Sequence, residues 1–176
     1  LRKVVALEPD GAKGWANLAV LLSRQGRTRE AYVALLGALR RNPNEPEALK
    51  EMANIYQRLD KVEMAKPLLE RLTRAEPSVK AWLDLASTQA PAAALKSIRR
   101  GLRLAPRSKR ARRAECKRLS QLEKPAMEAA CSRALALGED AETYMNRGLG
   151  FYHLGKSEKA LADLDQAIAL DKTSAR

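Results

Sequence analysis

The sequence predicts an all-α chain, a solenoid of antiparallel helix pairs with no β-sheet. Three observations predict it. First, Trp15, Leu18, Ala19, Leu22, Ala31, Leu35 and Ala38 return 34 residues later as Leu49, Met52, Ala53, Tyr56, Ala65, Leu69 and Leu72, and Pro9, Pro43 and Pro77 keep the same interval. A fixed period of this size marks a repeat architecture. Second, the apolar residues recur at helical spacing, and no alternating strand pattern is present. Third, aromatics are scarce at 4% and charged residues common at 31%, with Ala, Leu, Arg, Lys and Glu dominant. Small side chains of this kind let stacked helices approach closely.

The first unit, 12–45, opens with a helix over 12–25 that Gly26 ends. Thr28 is expected to cap a second helix to about Arg41, with Ala31, Leu35, Ala38 and Leu39 inward. Asn42-Pro43-Asn44 stops it, since proline cannot continue the ladder. Ala19 and Ala31 fit a close crossing of the two helices. The second unit, 46–78, starts at Pro46, suited to a first helical position. Pro67 sits well inside its second helix, so a kink or a later start is expected there.

The third unit, 79–106, is short: the interval from Pro77 to Pro106 is 29, five below the 34-residue period. Its first helix must end early, near Gln89, with Pro91 opening the second, and the shortened hairpin predicts a bend or a locally exposed groove. The fourth unit, 107–139, is degenerate, with Arg112 and Glu115 where other units carry large apolar residues. Its second helix is expected from Pro125 to Leu137, ended by Gly138. The fifth unit, 140–173, is again regular, with Gly148 at the close-packing position. Arg147 replaces an apolar residue there, its stem expected to pack and its head to reach water. Residues 1–9 read as the tail of a preceding repeat and Asp171–Arg176 as a linker into a further one.

This helix–turn–helix pattern resembles the tetratricopeptide repeat (TPR). The resemblance implies a right-handed superhelix whose concave face is lined by outward residues of each first helix. It implies a protein or peptide partner and no chemistry of the chain's own. Carried onto this sequence, that face takes Lys13, Asn17, Val20 and Arg24, then Glu47, Lys50, Glu51, Asn54 and Arg58, then Lys80, Asp84 and Ser87. Arg110, Arg113 and Lys117 follow from the fourth unit, and Glu142, Met145, Asn146, Leu149 and Tyr152 from the fifth. Asn17 and Asn146 match an asparagine that family members use to hold a bound peptide's backbone. The clamp for a C-terminal carboxylate also needs a lysine before that asparagine. Ala16 and Met145 stand there instead, and Glu51 replaces the asparagine of the second unit.

Cys116 and Cys131 lie 15 apart, one on each helix of the fourth hairpin. Cys116 aligns with Ala19, Ala53 and Gly148, and Cys131 with Leu35, Leu69, Ile98 and Leu164. Such positions face one another across a hairpin, so the pair is either a disulfide or two buried thiols acting as small hydrophobes. The arrangement resembles a bacterial subset of TPR proteins with one Cys in each helix of a repeat. That likeness implies a staple and an exported, periplasmic-like setting; without the bridge a cytoplasmic one is implied.

The net charge is +12, of which the segment Arg99–Arg118 carries +9. Arg110, Arg113 and Lys117 share one helical stripe. Forked guanidinium donors suit carboxylate or phosphate. The expected function is therefore a scaffold whose groove binds a partner segment, acidic in character. The alternatives are a polyanion binder for nucleic acid or anionic polysaccharide through 99–118, and the scaffold of a larger enzyme or export machine. Residues that would stack on bases are nearly absent from that segment, which weighs against single-strand recognition. The single histidine, His153, and the acids Glu158, Asp163 and Asp165, read as outward-facing, form no catalytic or metal-binding motif, so no catalysis, cofactor or metal is expected. No run of 18 uncharged apolar residues predicts a membrane span.

Overall fold

A computed structural model describes residues 11–174, with side chains described to residue 171. The reading of 1–9 lies outside the described residues. Among the described residues there are ten helices and no strand: α1 Ala12–Arg24, α2 Thr28–Arg41, α3 Pro46–Arg58, α4 Val62–Ala75, α5 Val79–Ser87, α6 Pro91–Leu104, α7 Lys109–Gln121, α8 Met127–Leu135, α9 Ala141–His153 and α10 Ser157–Ser174. They form an all-α solenoid of helix pairs. The chain divides into two compact units between Thr88 and Gln89, inside the shortened third hairpin.

In the first unit α1 packs on α2, α3 on α4, and the pairs stack through α2–α3, α1–α3 and α4–α5. Its core is a run of small and branched residues, Ala16, Ala19, Ala31, Leu35, Ala48, Leu49, Ala53 and Leu69 among them. Ala19 and Ala31 are fully buried, as a close crossing requires. Trp15 lies over Gly37, where an added Cβ would come within 2.9 Å of the indole, so a larger residue there would displace the ring. In the second unit α7 packs on α8, α9 on α10, and α7 also meets α6 and α9. Cys116, Leu119, Met127, Ala130, Cys131, Phe151 and Ala160 form its core.

The tight turns inside four hairpins close in the same way. Gly26, Asp60, Glu123 and Gly155 take left-handed backbone angles with φ of 75°, 55°, 52° and 71°. In each case the next residue's amide donates to the carbonyl five positions back: Arg27 to Leu22, Lys61 to Tyr56, Lys124 to Leu119 and Lys156 to Phe151. This is the Schellman closure of a helix C-terminus. Only two of these positions are glycine, so the closing hydrogen bonds offset the steric cost at Asp60 and Glu123.

Several expectations are corrected. Thr28 is the first residue of α2 rather than its cap. Arg27 occupies the cap position without a side-chain cap and instead grips Glu30 through two bonds of 2.7 and 2.6 Å. Side-chain caps occur at Ser78, Ser108 and Asp140. α5 ends at Ser87, two residues before the expected point, because Thr88 turns its hydroxyl onto Leu85 O at 2.8 Å. α8 is shorter at both ends than 125–137, since Met127 N bonds to Lys124 O and Gly138 N to Leu135 O in three-residue turns. The chain from Asp171 to Ser174 is helix rather than linker, with no proline or glycine to stop it.

α4 does not start late at Pro67; it runs through it. Pro67 and Glu63 are exposed, while Leu68 and Leu69 beside the proline are buried and hold the turn; the ring leaves Glu63 O without its helical donor. Pro67→Ala restores the missing donor and should raise unfolding stability by about 1–3 kcal/mol. Urea denaturation would show this as a higher midpoint at unchanged slope; an unchanged midpoint would mean the proline is fully accommodated.

Candidate functional site

In the first unit the buried residues of α1 and α3 occupy one face, which turns Lys13, Asn17 and Arg24 and then Lys50, Asn54 and Arg58 to the other. Direct packing of α1 on α3 brings the C-terminal halves of these rows together. They form an open pocket lined by Ser23, Arg24, Glu51, Asn54, Gln57 and Arg58. Glu51 is its centre, with only 14% of its side chain exposed. It accepts from Ser23 Oγ at 2.5 Å and from Asn54 Nδ2 at 3.3 Å. Arg58 donates to Ser23 Oγ at 3.1 Å and lies 3.6 Å from the Glu51 carboxylate. The glutamate that breaks the asparagine pattern therefore ties Arg58 and Asn54 of its own helix to Ser23 of α1.

Around that anchor, Arg24 is exposed and has no ion-pair partner among the described residues. Gln57 reaches Ser87 Oγ on α5 at 3.0 Å. Lys13 and Asn17 are exposed at the start of the row. Lys50 is held by Glu47 with both contacts at 3.0 Å, and Lys80 by Asp84 at 2.5 Å. The pocket thus offers guanidinium forks from Arg24 and Arg58 plus the amides of Asn54 and Gln57. That donor set suits carboxylates and peptide groups.

The second unit treats its predicted residues differently. Arg110 is exposed. Arg113 donates to Asp140 at 2.8 Å through Nε, and its second nitrogen lies at 2.7 Å. Asp140 is also the cap of α9, accepting from Thr143 N at 2.9 Å. Lys117 pairs with Glu142 at 3.1 Å. Asn146 is only 9% exposed and donates to Glu142 O of its own helix at 2.8 Å, so it is not presented outward like Asn17. The basic stripe is therefore largely paired within the chain.

Much of the charge of 99–118 has the same fate. Glu115 is buried, and Arg99, Arg112 and Arg133 come within 3.5, 3.0 and 3.8 Å of its carboxylate. Arg103, Arg107 and Arg110 remain exposed with no acid partner among the described residues. Arg147 does not send its head to water. It forks onto Asp163 at 2.6 and 2.7 Å, donates to Ser132 Oγ at 3.0 Å, and lies over the Tyr144 and Phe151 rings. The Asp163 fork raises the Arg147 pKa above its ordinary value. Asp163, expected to face outward, is consequently buried; Glu158 and Asp165 are exposed as expected.

The Cα atoms of Cys116 and Cys131 stand 4.6 Å apart, with the sulfurs within bonding distance. His153 is half exposed, its Nδ1 3.8 Å from Glu123. No helix among the described residues is long and apolar enough to cross a membrane.

Sequence models described as tetratricopeptide repeat match residues 22–88 and 141–174. Among solved structures, YrrB, described as a TPR protein with an unusual peptide-binding site, superposes with a TM-score of 0.85 at 21% identity, over 96% of this chain and 91% of that one. MamA residues 41 to the end from Desulfovibrio magneticus RS-1 superpose at 0.79 with 20% identity, covering 92% and 96%. A thermophilic TPR protein of Thermus thermophilus, TTC0263, gives 0.62 at 23% identity, with 91% of each chain covered. A comparison with curated proteins finds no match.

Proposed function

The chain belongs to the tetratricopeptide repeat family, and from that premise we propose that it is a protein–protein interaction scaffold whose α1–α3 pocket holds a partner segment with acidic side chains. The observation that carries this reading is Glu51, which fixes Arg58 and Asn54 beside the exposed Arg24. A donor set fixed before binding loses less side-chain freedom when a ligand arrives. The likeness to YrrB, a TPR protein with a peptide-binding site, supports a peptide as the ligand class. The chain supplies no catalysis of its own. Cys116 and Cys131 form a disulfide in this reading, which assigns the chain to an oxidising compartment.

Calorimetric titration of a short Asp/Glu-rich peptide tests the pocket. Binding should weaken with salt and drop about tenfold in Arg24→Glu, with far-UV circular dichroism unchanged. Equal affinity in the wild type and in Arg24→Glu would overturn the assignment. A second reading, an anionic polymer bound by Arg103, Arg107 and Arg110, rests on their exposure. A mobility shift of duplex DNA at low salt would support it, and no shift would remove it.

A further inference from the structure

A second docking surface lies away from that pocket and shares no residue with it. It is formed by the N-terminal half of α2, the end of α3 and the start of α4. Its floor is Tyr32 and Tyr56, edge to face with ring centres 6.3 Å apart and hydroxyls 3.1 Å apart. Beside them Val33, Leu59 and Met64 are 64%, 57% and 52% exposed. Large apolar side chains at such exposure, gathered around one depression, mark an interaction surface rather than scattered surface residues.

The charges lining the depression are Arg29 and Lys61, with no carboxylate. Both cations are without an acid partner among the described residues. A second copy docked face to face would set these cations against their own counterparts. The +12 charge of the chain opposes such pairing further. The complementary occupant carries apolar side chains for the floor and carboxylates for the rim.

We propose that this surface docks a partner protein's short segment in which a leucine-like side chain, flanked by acidic residues, sits over Tyr32 and Tyr56 while its carboxylates meet Arg29 and Lys61. The apolar side chain supplies affinity by leaving water and the two cations set orientation. This site and the α1–α3 pocket take segments of different chemistry: the pocket is polar and reads carboxylates and peptide groups, whereas this surface requires an apolar anchor. The two sites can therefore engage one partner at two points, or two partners.

A fluorescein-labelled peptide, Glu-Asp-Leu-Leu-Asp-Glu, titrated into the full chain tests the proposal by anisotropy, with methyl NMR reporting the location. The expected result is saturable binding that shifts the Met64 and Leu59 methyl signals. Met64→Glu should weaken it about tenfold, and replacing both leucines of the peptide by serine should have a comparable effect. Arg29→Glu with Lys61→Glu keeps the apolar floor and should also weaken binding here, read as smaller Met64 and Leu59 methyl shifts at a given peptide concentration, a signal that occupancy of the α1–α3 pocket does not supply. The proposal is overturned if the peptide fails to bind at low salt, or if it binds without shifting the Met64 and Leu59 methyl signals. It is equally overturned if the Met64 methyl shifts with protein concentration alone, which would assign the surface to self-association.

Discussion

Replacing Arg147 by alanine is expected to lower unfolding stability by about 3–5 kcal/mol, the usual cost of stranding one member of a buried ion pair. The Asp163 side chain is 8% exposed and that of Arg147 19%, so neither charge regains full hydration when its partner is removed. The forked geometry engages both carboxylate oxygens, and the guanidinium also covers two aromatic rings. The same physics predicts that Arg147→Met combined with Asp163→Leu costs far less than Arg147→Ala alone, because no charge is then left buried. A double-mutant cycle read by thermal unfolding separates the two outcomes. If Arg147→Ala melts with the wild type, Asp163 is solvated and the pair contributes little.

The second large effect concerns Cys116 and Cys131. The two are 15 positions apart in sequence, and a bridge should contribute about 3 kcal/mol through restriction of the unfolded chain. It would act where apolar packing is weakest, since the buried set of α7 includes Glu115 and Ser120. Reductant should therefore lower the melting temperature of the wild type and leave Cys116→Ala/Cys131→Ala unaffected. Thiol titration in denaturant without reductant should find almost no free sulfhydryl. Two reactive thiols per chain would reject the bridge and, with it, the oxidising compartment.

The helix pairs were legible because periodicity encodes which face is buried. Ala19, Ala53, Cys116 and Gly148 align in sequence, and all are buried at the crossings within their hairpins. Gly148 shows why size matters there: a Cβ would lie 3.0 Å from Leu164 Cγ and 3.2 Å from Ala160 O. The ion pairs were not legible. Arg147 and Asp163 are 16 residues apart, and Arg113 and Asp140 27 apart. Their meeting depends on helix crossing and side-chain rotamers, which a period does not specify. Counting cations along 99–118 consequently overstated the charge open to a partner. The α1–α3 pocket was legible in its members, Arg24, Asn54 and Arg58, but not in its organisation. Glu51, read as a departure from the family's asparagine, is the residue that holds Asn54 and Arg58. The outer apolar surface escaped notice because Val33, Leu59 and Met64 belong to three different helices or their ends and form no stripe.

Repeat arrays invite the view that each unit is an interchangeable part. The arginines around Glu115 argue otherwise for residues 107–139. Arg112 and Arg133 belong to that unit, but Arg99 comes from α6, in the preceding one. Grafting 107–139 into another solenoid would carry a buried carboxylate away from part of its neutralising shell, whereas a host with arginine at the position of Arg99 would accept it. The inheritable segment here is accordingly longer than one repeat: it begins in α6 and ends with α8.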